Sequence, residues 1–193
     1  MADAKIDFKK SLDSYRAPAG EFRILDIPTR RYLAVDGAGD PNTSPEYAAA
    51  LESLFPAAYK VKFASKRELG RDYVVPPLEG LWWAEDMDAF TVGRDKSRWS
   101  WTLMLLVPEF VTADVLPELP GSVRLEMLSE GTVVQTLHLG SYDDEGPLLA
   151  RMHDEFIPAN GLSRTGRHHE IYLNDARRVA PEKLRTILRQ PVA

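Results

Sequence analysis

The chain has 193 residues, 44% hydrophobic and 27% charged, and carries a net charge of -5 from 24 basic and 29 acidic side chains. This is ordinary globular composition with length enough for one substantial core, and without a long Lys/Arg cluster it argues against nucleic acid as the main partner. The lack of cysteine excludes disulfides, thiolate metal sites and a cysteine nucleophile. With no signal-type N-terminal run and no apolar run longer than residues 103–108, the expectation is a soluble cytoplasmic protein without membrane spans.

Residues 5–15 space Ile6, Phe8, Leu12 and Tyr15 three or four apart and predict a short amphipathic helix or ordered arm. Residues 23–27 read as a strand halted by Pro28, residues 31–36 as the next strand, and residues 37–42 (GAGDPN) as a turn. Thr43 or Ser44 caps a helix opening at Pro45. Along it Tyr47, Leu51, Leu54, Ala58 and Val61 form one apolar stripe. Phe55, Tyr59 and Phe63 form a second ridge, which serves either as extra core or as pocket lining. Pro56 is expected to kink or split this helix, because its ring meets the carbonyl of Glu52.

Residues 71–75 predict a strand interrupted by Pro76-Pro77, residues 78–83 its continuation or neighbour, and residues 86–96 a loop or hairpin. Residues 97–107 (SRWSWTLMLLV) are apolar on both faces, with Trp101 on one and Met104 on the other, as in a central strand. Residues 110–119 predict a short helix, and residues 123–128 and 133–139 a hairpin turning at Ser129-Glu130-Gly131. A helix starting at Pro147 and ending at Asn160-Gly161 follows, then a strand carrying Glu170, then a short helix over residues 181–188. Each half of the chain thus reads strand, turn, helix, strand, strand.

The two-residue period of a strand puts Glu170 and Tyr172 on one face and Ile171 and Leu173 on the other. A carboxylate in an aromatic pocket can act as general base or as the counter-ion of a cation, whereas a solvent-facing Glu170 does neither. Glu79, Trp82 and Trp83 form a second group, in which adjacent tryptophans point apart, so that one lines a cleft while the other serves the core. His168 and His169 also point apart with nothing to complete a ligand set, so no metal site is expected. Gly37-Ala38-Gly39 lacks the third glycine of a dinucleotide fingerprint, and no cofactor is expected.

Several segments taken together resemble the stand-alone GyrI-like small-molecule-binding proteins. They are Tyr15-Arg16-Ala17, residues 34–42 (AVDGAGDPN), residues 78–83 (LEGLWW), residues 101–104 (WTLM), residues 108–112 (PEFVT) and residues 169–191, which opens HEIYLND. The resemblance implies an α+β fold, a tandem pair of strand-helix-strand-strand modules with pseudo-two-fold symmetry and a central ligand cleft. The domain would span residues 21–193, with halves of about 21–96 and 97–193, after an arm of residues 1–20 too short for a helix-turn-helix.

One branch of these relatives hydrolyses the cyclopropane of DNA-alkylating cyclopropanoid antibiotics, and the LEGLWW and EIY segments resemble it. That implies Glu170 and Tyr172 as catalytic residues, Glu170 taking a proton from water and Tyr172 donating to the carbonyl oxygen that gains charge. Glu79 and Trp82 would line the cleft. Trp101, Met104, Tyr59, Phe63 and Phe55 are further ligand contacts. The ligand would be a hydrophobic or cationic aromatic small molecule. Hydrolysis, binding for sequestration or effector sensing, and interaction with gyrase remain three alternative readings.

Overall fold

A computed structural model describes residues 5–85 and 95–193. The loop or hairpin expected over residues 86–96 lies, apart from Asp95 and Lys96, outside the described residues. Among the described residues the alternating and β-branched runs form eight strands: β1 (Arg23–Ile27), β2 (Arg30–Ala38), β3 (Leu78–Trp83), β4 (Ser100–Val107), β5 (Arg124–Leu128), β6 (Gly131–Leu139), β7 (His168–Tyr172) and β8 (Arg185–Pro191). The helices are α1 (Phe8–Ser11), α2 (Pro45–Leu69), α3 (Gly146–Ala150) and α4 (Ile157–Ala159). A π-helical stretch, Arg151–Phe156, joins α3 to α4. No helix among the described residues is long and apolar enough to cross a membrane.

The chain forms two compact units. The first comprises the described residues within Met1–Ser11, Arg30–Pro76 and Gly80–Leu128; the second comprises Leu12–Thr29, Pro77–Glu79 and Ser129–Ala193. Within the first the strand order is β3-β4-β2-β5, and within the second it is β7-β8-β6-β1. Each contains the succession strand, helix, strand, strand: β2-α2-β3-β4 in one, β6-α3/α4-β7-β8 in the other. This is the expected α+β architecture, with β1 and β5 as outer strands drawn from the opposite half of the chain.

In the first unit β4 is buried along almost its whole length, because β2 and β3 flank it and α2 packs on β2 and β4. Gly37 is the register partner of Trp101, and a Cβ built on Gly37 would meet the indole at 2.1 Å. Only hydrogen fits there. Gly37 and Ala38 therefore end β2 rather than opening a turn, and the chain turns at Gly39, whose φ of 97° favours glycine. The helix α2 continues through Pro56 rather than splitting, with Leu54, Ala57, Ala58 and Val61 buried on the sheet. Burial of that face offsets the hydrogen bond that proline removes.

Other expectations are overturned. Residues 71–75 hold a single bridge, Tyr73 to Ile6, instead of a strand. Residues 110–119 make isolated turns (Val111 to Pro108, Val115 to Thr112) and no helix, since Pro117 and Pro120 stop propagation. β5 pairs with β2 and β6 with β1 and β8, so residues 123–139 are no hairpin. Residues 185–191 are the strand β8 and not a helix, buried at six of seven positions between β6 and β7.

The core of the second unit has an apolar and a polar part. Val134, Met152, Ile157, Leu188 and Val192 form the apolar cluster, with Phe22 and Phe156 against it. The polar part follows the ladder: His169 pairs with Arg189, and Arg189 with Gln135. His169 Nε2 meets Glu79 Oε2 at 2.8 Å and Nδ1 meets Glu130 Oε1 at 2.8 Å. Arg189 donates to Glu130 at 2.9 Å, to Gln135 at 3.0 Å and to the Ser14 carbonyl at 2.8 Å. Tyr15 donates to the other Glu79 oxygen. Residues 14–16 of the N-terminal arm are thereby part of this core, tied through Ser14, Tyr15 and Arg16.

Burial opposes a charge on His169, but the Glu130 carboxylate and the hydrogen bonds to Glu130 and Glu79 outweigh it and push its pKa up to about 9. Burial likewise works against ionised Glu130, yet His169 and Arg189 hold it down at about 2.

Two outcomes are expected. Gly37→Ala forces the Trp101 ring to move and lowers stability by about 1–3 kcal/mol in thermal melts; an unshifted melt would show that the indole has room. The contribution of His169, whose folded pKa lies above its ordinary 6.5, is full below about 6.5 and lost as pH rises through about 9. That of Glu130 is full above 4.5 and lost as pH falls toward about 2. Urea unfolding should show a loss on the order of 3 kcal/mol between these alkaline limits. His169→Gln should flatten that limb, and an unchanged limb would count against the network.

Candidate functional site

Strand β7 sorts its side chains by parity. His169 and Ile171 are fully buried, whereas His168, Glu170 and Tyr172 share the opposite, half-buried face. Pairing with β8, Glu170 opposite Leu188 and Tyr172 opposite Thr186, holds this face in register.

On it the Glu170 carboxylate is the hub. Tyr172 donates its hydroxyl to Oε2 at 2.7 Å, and His168 Nε2 lies 3.2 Å from Oε1. The side chains of His168 and Glu170 are 15% and 14% exposed, enough for contact with solvent but too little for full hydration. Tyr142, from the turn after β6, meets Tyr172 edge-on with ring centroids 5.7 Å apart. Burial, then the charges of Glu170, Glu145 and Asp175, push the Tyr142 pKa up to about 12, so the phenol stays protonated in a locally negative field. His153, in the π-helical stretch, stands edge-on to His168 at 6.4 Å between centroids. Burial, then His168 and Arg164, lower its pKa to about 4 and keep it neutral.

The expected Glu170 and Tyr172 pair is thus adjacent and hydrogen-bonded. Glu79 belongs to the other side of β7, with no exposed surface and with its two oxygens engaged by Tyr15 and His169. In the first unit Trp101 and Met104 have no exposed surface and sit in the core of β4. Trp82 is 6% exposed and stacks on Tyr47, with Trp99 edge-on to it, while Trp83 on the opposite face is half-buried. Tyr59 and Phe63 lie against each other at 6.3 Å, 48% and 54% exposed, and Phe55 is half-buried, so the second ridge of α2 is largely surface rather than core.

Sequence reasoning missed Tyr142, His153 and His168 as neighbours of Glu170. The strand period already placed His168 on the Glu170 face. Tyr142 and His153 are distant in sequence and carried no signal. Among the described residues no group of three His, Asp or Glu side chains is arranged to hold a metal ion.

Comparison with solved structures finds an uncharacterized conserved protein from Listeria innocua, 40% identical, with a TM-score of 0.85 over 98% of this chain and 100% of that chain. A structure described as a hydrolase from Listeria innocua is 38% identical, with a TM-score of 0.82 and coverage of 98% and 100%. The EcmrR C-terminal domain shares the fold at 13% identity, with a TM-score of 0.58 over 90% of this chain and 97% of that chain. No curated protein matches. The family model described as the GyrI-like small molecule binding domain matches residues 20–193, and the chain belongs to that family.

Proposed function

We propose that this protein binds a flat, hydrophobic, electrophilic small molecule and opens a strained ring in it by adding water, with cyclopropanoid compounds as the substrate class. The observation that carries this reading is the Glu170 carboxylate, 14% exposed and bonded by a phenol and an imidazole on one strand face. Family membership supports a small-molecule ligand, and the hydrolase described at 38% identity supports the reaction class.

Glu170 supplies the basicity that takes up a proton from the attacking water, and its partial burial keeps that charge from being quenched by solvent. As the water oxygen bonds to a cyclopropane carbon, the bond from that same carbon to the ring carbon carrying the conjugated carbonyl system breaks. Its electron pair passes into the conjugated carbonyl, where the Tyr172 hydroxyl, turning from Glu170, donates to the oxygen that becomes negative. That oxygen then takes the proton, and the balance is the addition of one water. The chain has no cysteine to compete as nucleophile.

A second reading, retention of a cationic aromatic compound without turnover, draws on the negative field felt by Tyr142. There Glu170 is the counter-ion, and the edge-on rings of Tyr142 and Tyr172 beside it are candidates for aromatic contact with the cation.

Incubation with a spirocyclopropyl cyclohexadienone, followed by mass spectrometry, should yield a product heavier by one water. Glu170→Gln and Tyr172→Phe should each slow its formation by about 10²–10³-fold; wild-type rates in both would refute these roles. Saturable quenching of tryptophan fluorescence by a flat cationic dye, with no ring-opened product from the cyclopropanoid, would favour the second reading.

A further inference from the structure

We infer that His168 is the general base of this site, taking the proton of the attacking water on Nδ1 while Glu170 holds its other nitrogen. The inference rests on the hydrolytic reading above and says where the basicity of Glu170 acts.

The proton positions follow from the partners. Glu170 accepts the Tyr172 proton on Oε2, and its Oε1 is an acceptor as well, so the His168 nitrogen facing it, Nε2, carries the hydrogen. A neutral imidazole protonated on Nε2 has its lone pair on Nδ1. His168 Nδ1 is buried and has no hydrogen-bond partner. A buried acceptor without a partner costs about 1–3 kcal/mol, so its retention on the carboxylate face needs a reason.

His153 provides the complementary half. Arg164 stands 3.3 Å from its Nδ1, and a guanidinium only donates, so Nδ1 is the acceptor and Nε2 carries the hydrogen. His153 Nε2 is likewise buried without a partner. One unpaired donor and one unpaired acceptor thus sit on neighbouring rings whose centroids are 6.4 Å apart. A single water between them, accepting from His153 and donating to His168, satisfies both. In that pose its remaining lone pair is free to attack, and the proton it loses is the one aimed at His168 Nδ1. The charge that develops on the imidazole is stabilised by Glu170 through Nε2, the same division of labour as in a carboxylate-histidine-hydroxyl triad.

The helix contributes to this arrangement. His153 belongs to the π-helical stretch Arg151–Phe156, and such widened turns are rare and recur at functional sites, where the altered winding redirects side chains. The titratable groups placed against His168 include Glu170 on its own strand, itself bonded to Tyr172, and His153, backed by Arg164 from beyond α4. Metal ligation by the two imidazoles is the competing use. It is disfavoured by the guanidinium placed against His153, which repels a cation, and by the lack of a third ligand among the described residues.

The electron count is that of the ring opening already described. The new carbon–oxygen bond forms as the water proton passes to His168 Nδ1, the ring bond breaks into the carbonyl, and the imidazolium returns its proton to the resulting oxyanion. No oxidant or further reactant is required.

The test has two arms on the full chain. In long-range nitrogen–proton NMR of the ¹⁵N-labelled protein, both rings should appear as the Nε2–H tautomer, assigned with His168→Gln and His153→Gln. An Nδ1–H tautomer at His168 would overturn the inference whatever the activity. With the spirocyclopropyl cyclohexadienone, His168→Gln should lower kcat by about 10²–10³-fold with little change in KM. His168→Ala should regain part of that loss when free imidazole is added. Wild-type turnover retained in His168→Gln would sink this role while leaving hydrolysis standing. No turnover by the wild-type chain would instead remove the hydrolytic reading and this role with it.

Discussion

The second unit depends on a charged imidazole sealed between two carboxylates. His169, with no exposed surface, has Glu79 on one nitrogen and Glu130 on the other, and Arg189 balances Glu130 from the adjacent strand. Two positive and two negative groups cancel, which is the condition for burying them at all, since an isolated charge in such a place is prohibitively costly. Removing one member would strand the others, and breaking a buried pair typically costs about 3–5 kcal/mol. The network also draws together pieces of chain far apart in sequence: the arm at Tyr15, the start of β3 at Glu79, the turn before β6 at Glu130, and β7 and β8.

Because His169 is pinned, the opposite face of β7 has little freedom. Side chains alternate along a strand, so a register slip of one residue would exchange the buried His169 for the half-buried His168 and leave a carboxylate facing the core. The buried ladder of His169, Arg189 and Gln135 makes that slip prohibitive. Glu170 and Tyr172 therefore inherit their orientation from a lock on the reverse side of their own strand. This orients the carboxylate without demanding that the half-buried face itself be rigidly packed.

The first unit shows a different constraint, one of volume rather than charge. The Gly37 and Trp101 pair lets an indole lie flat on the backbone of the neighbouring strand, and Tyr47 of α2 closes over it at 5.2 Å between rings. Trp82 and Trp99 extend the same aromatic group toward the segment that precedes β4. Bulky rings need the space that glycine leaves, which is why the tryptophans of this unit are mostly wall and foundation rather than freely presented surface.

How much of this was legible depends on the range of the interaction. Strand periodicity alone placed Glu170 beside Tyr172, with His168 on the same face, because alternation is a property of two or three consecutive residues. Helix starts at Pro45 and near Pro147 were equally local, since proline suits the first turn of a helix whatever surrounds it. The resemblance of short segments to a family carried the architecture. Pairing was beyond local reasoning: residues 123–139 looked like a hairpin, yet β5 and β6 each found other partners, and residues 185–191 became a strand because two neighbours waited for them. The destination of Glu79 was invisible for the same reason. A glutamate followed by tryptophans reads as a cleft residue until the fold brings Tyr15 and His169, each more than sixty positions away in sequence, against its two oxygens. The sequence by itself determined which side chains share a strand face and where helices begin, since those follow from bonds between near neighbours. Only the tertiary structure decided which buried charges meet, because that depends on contacts whose separation along the chain leaves no periodic trace.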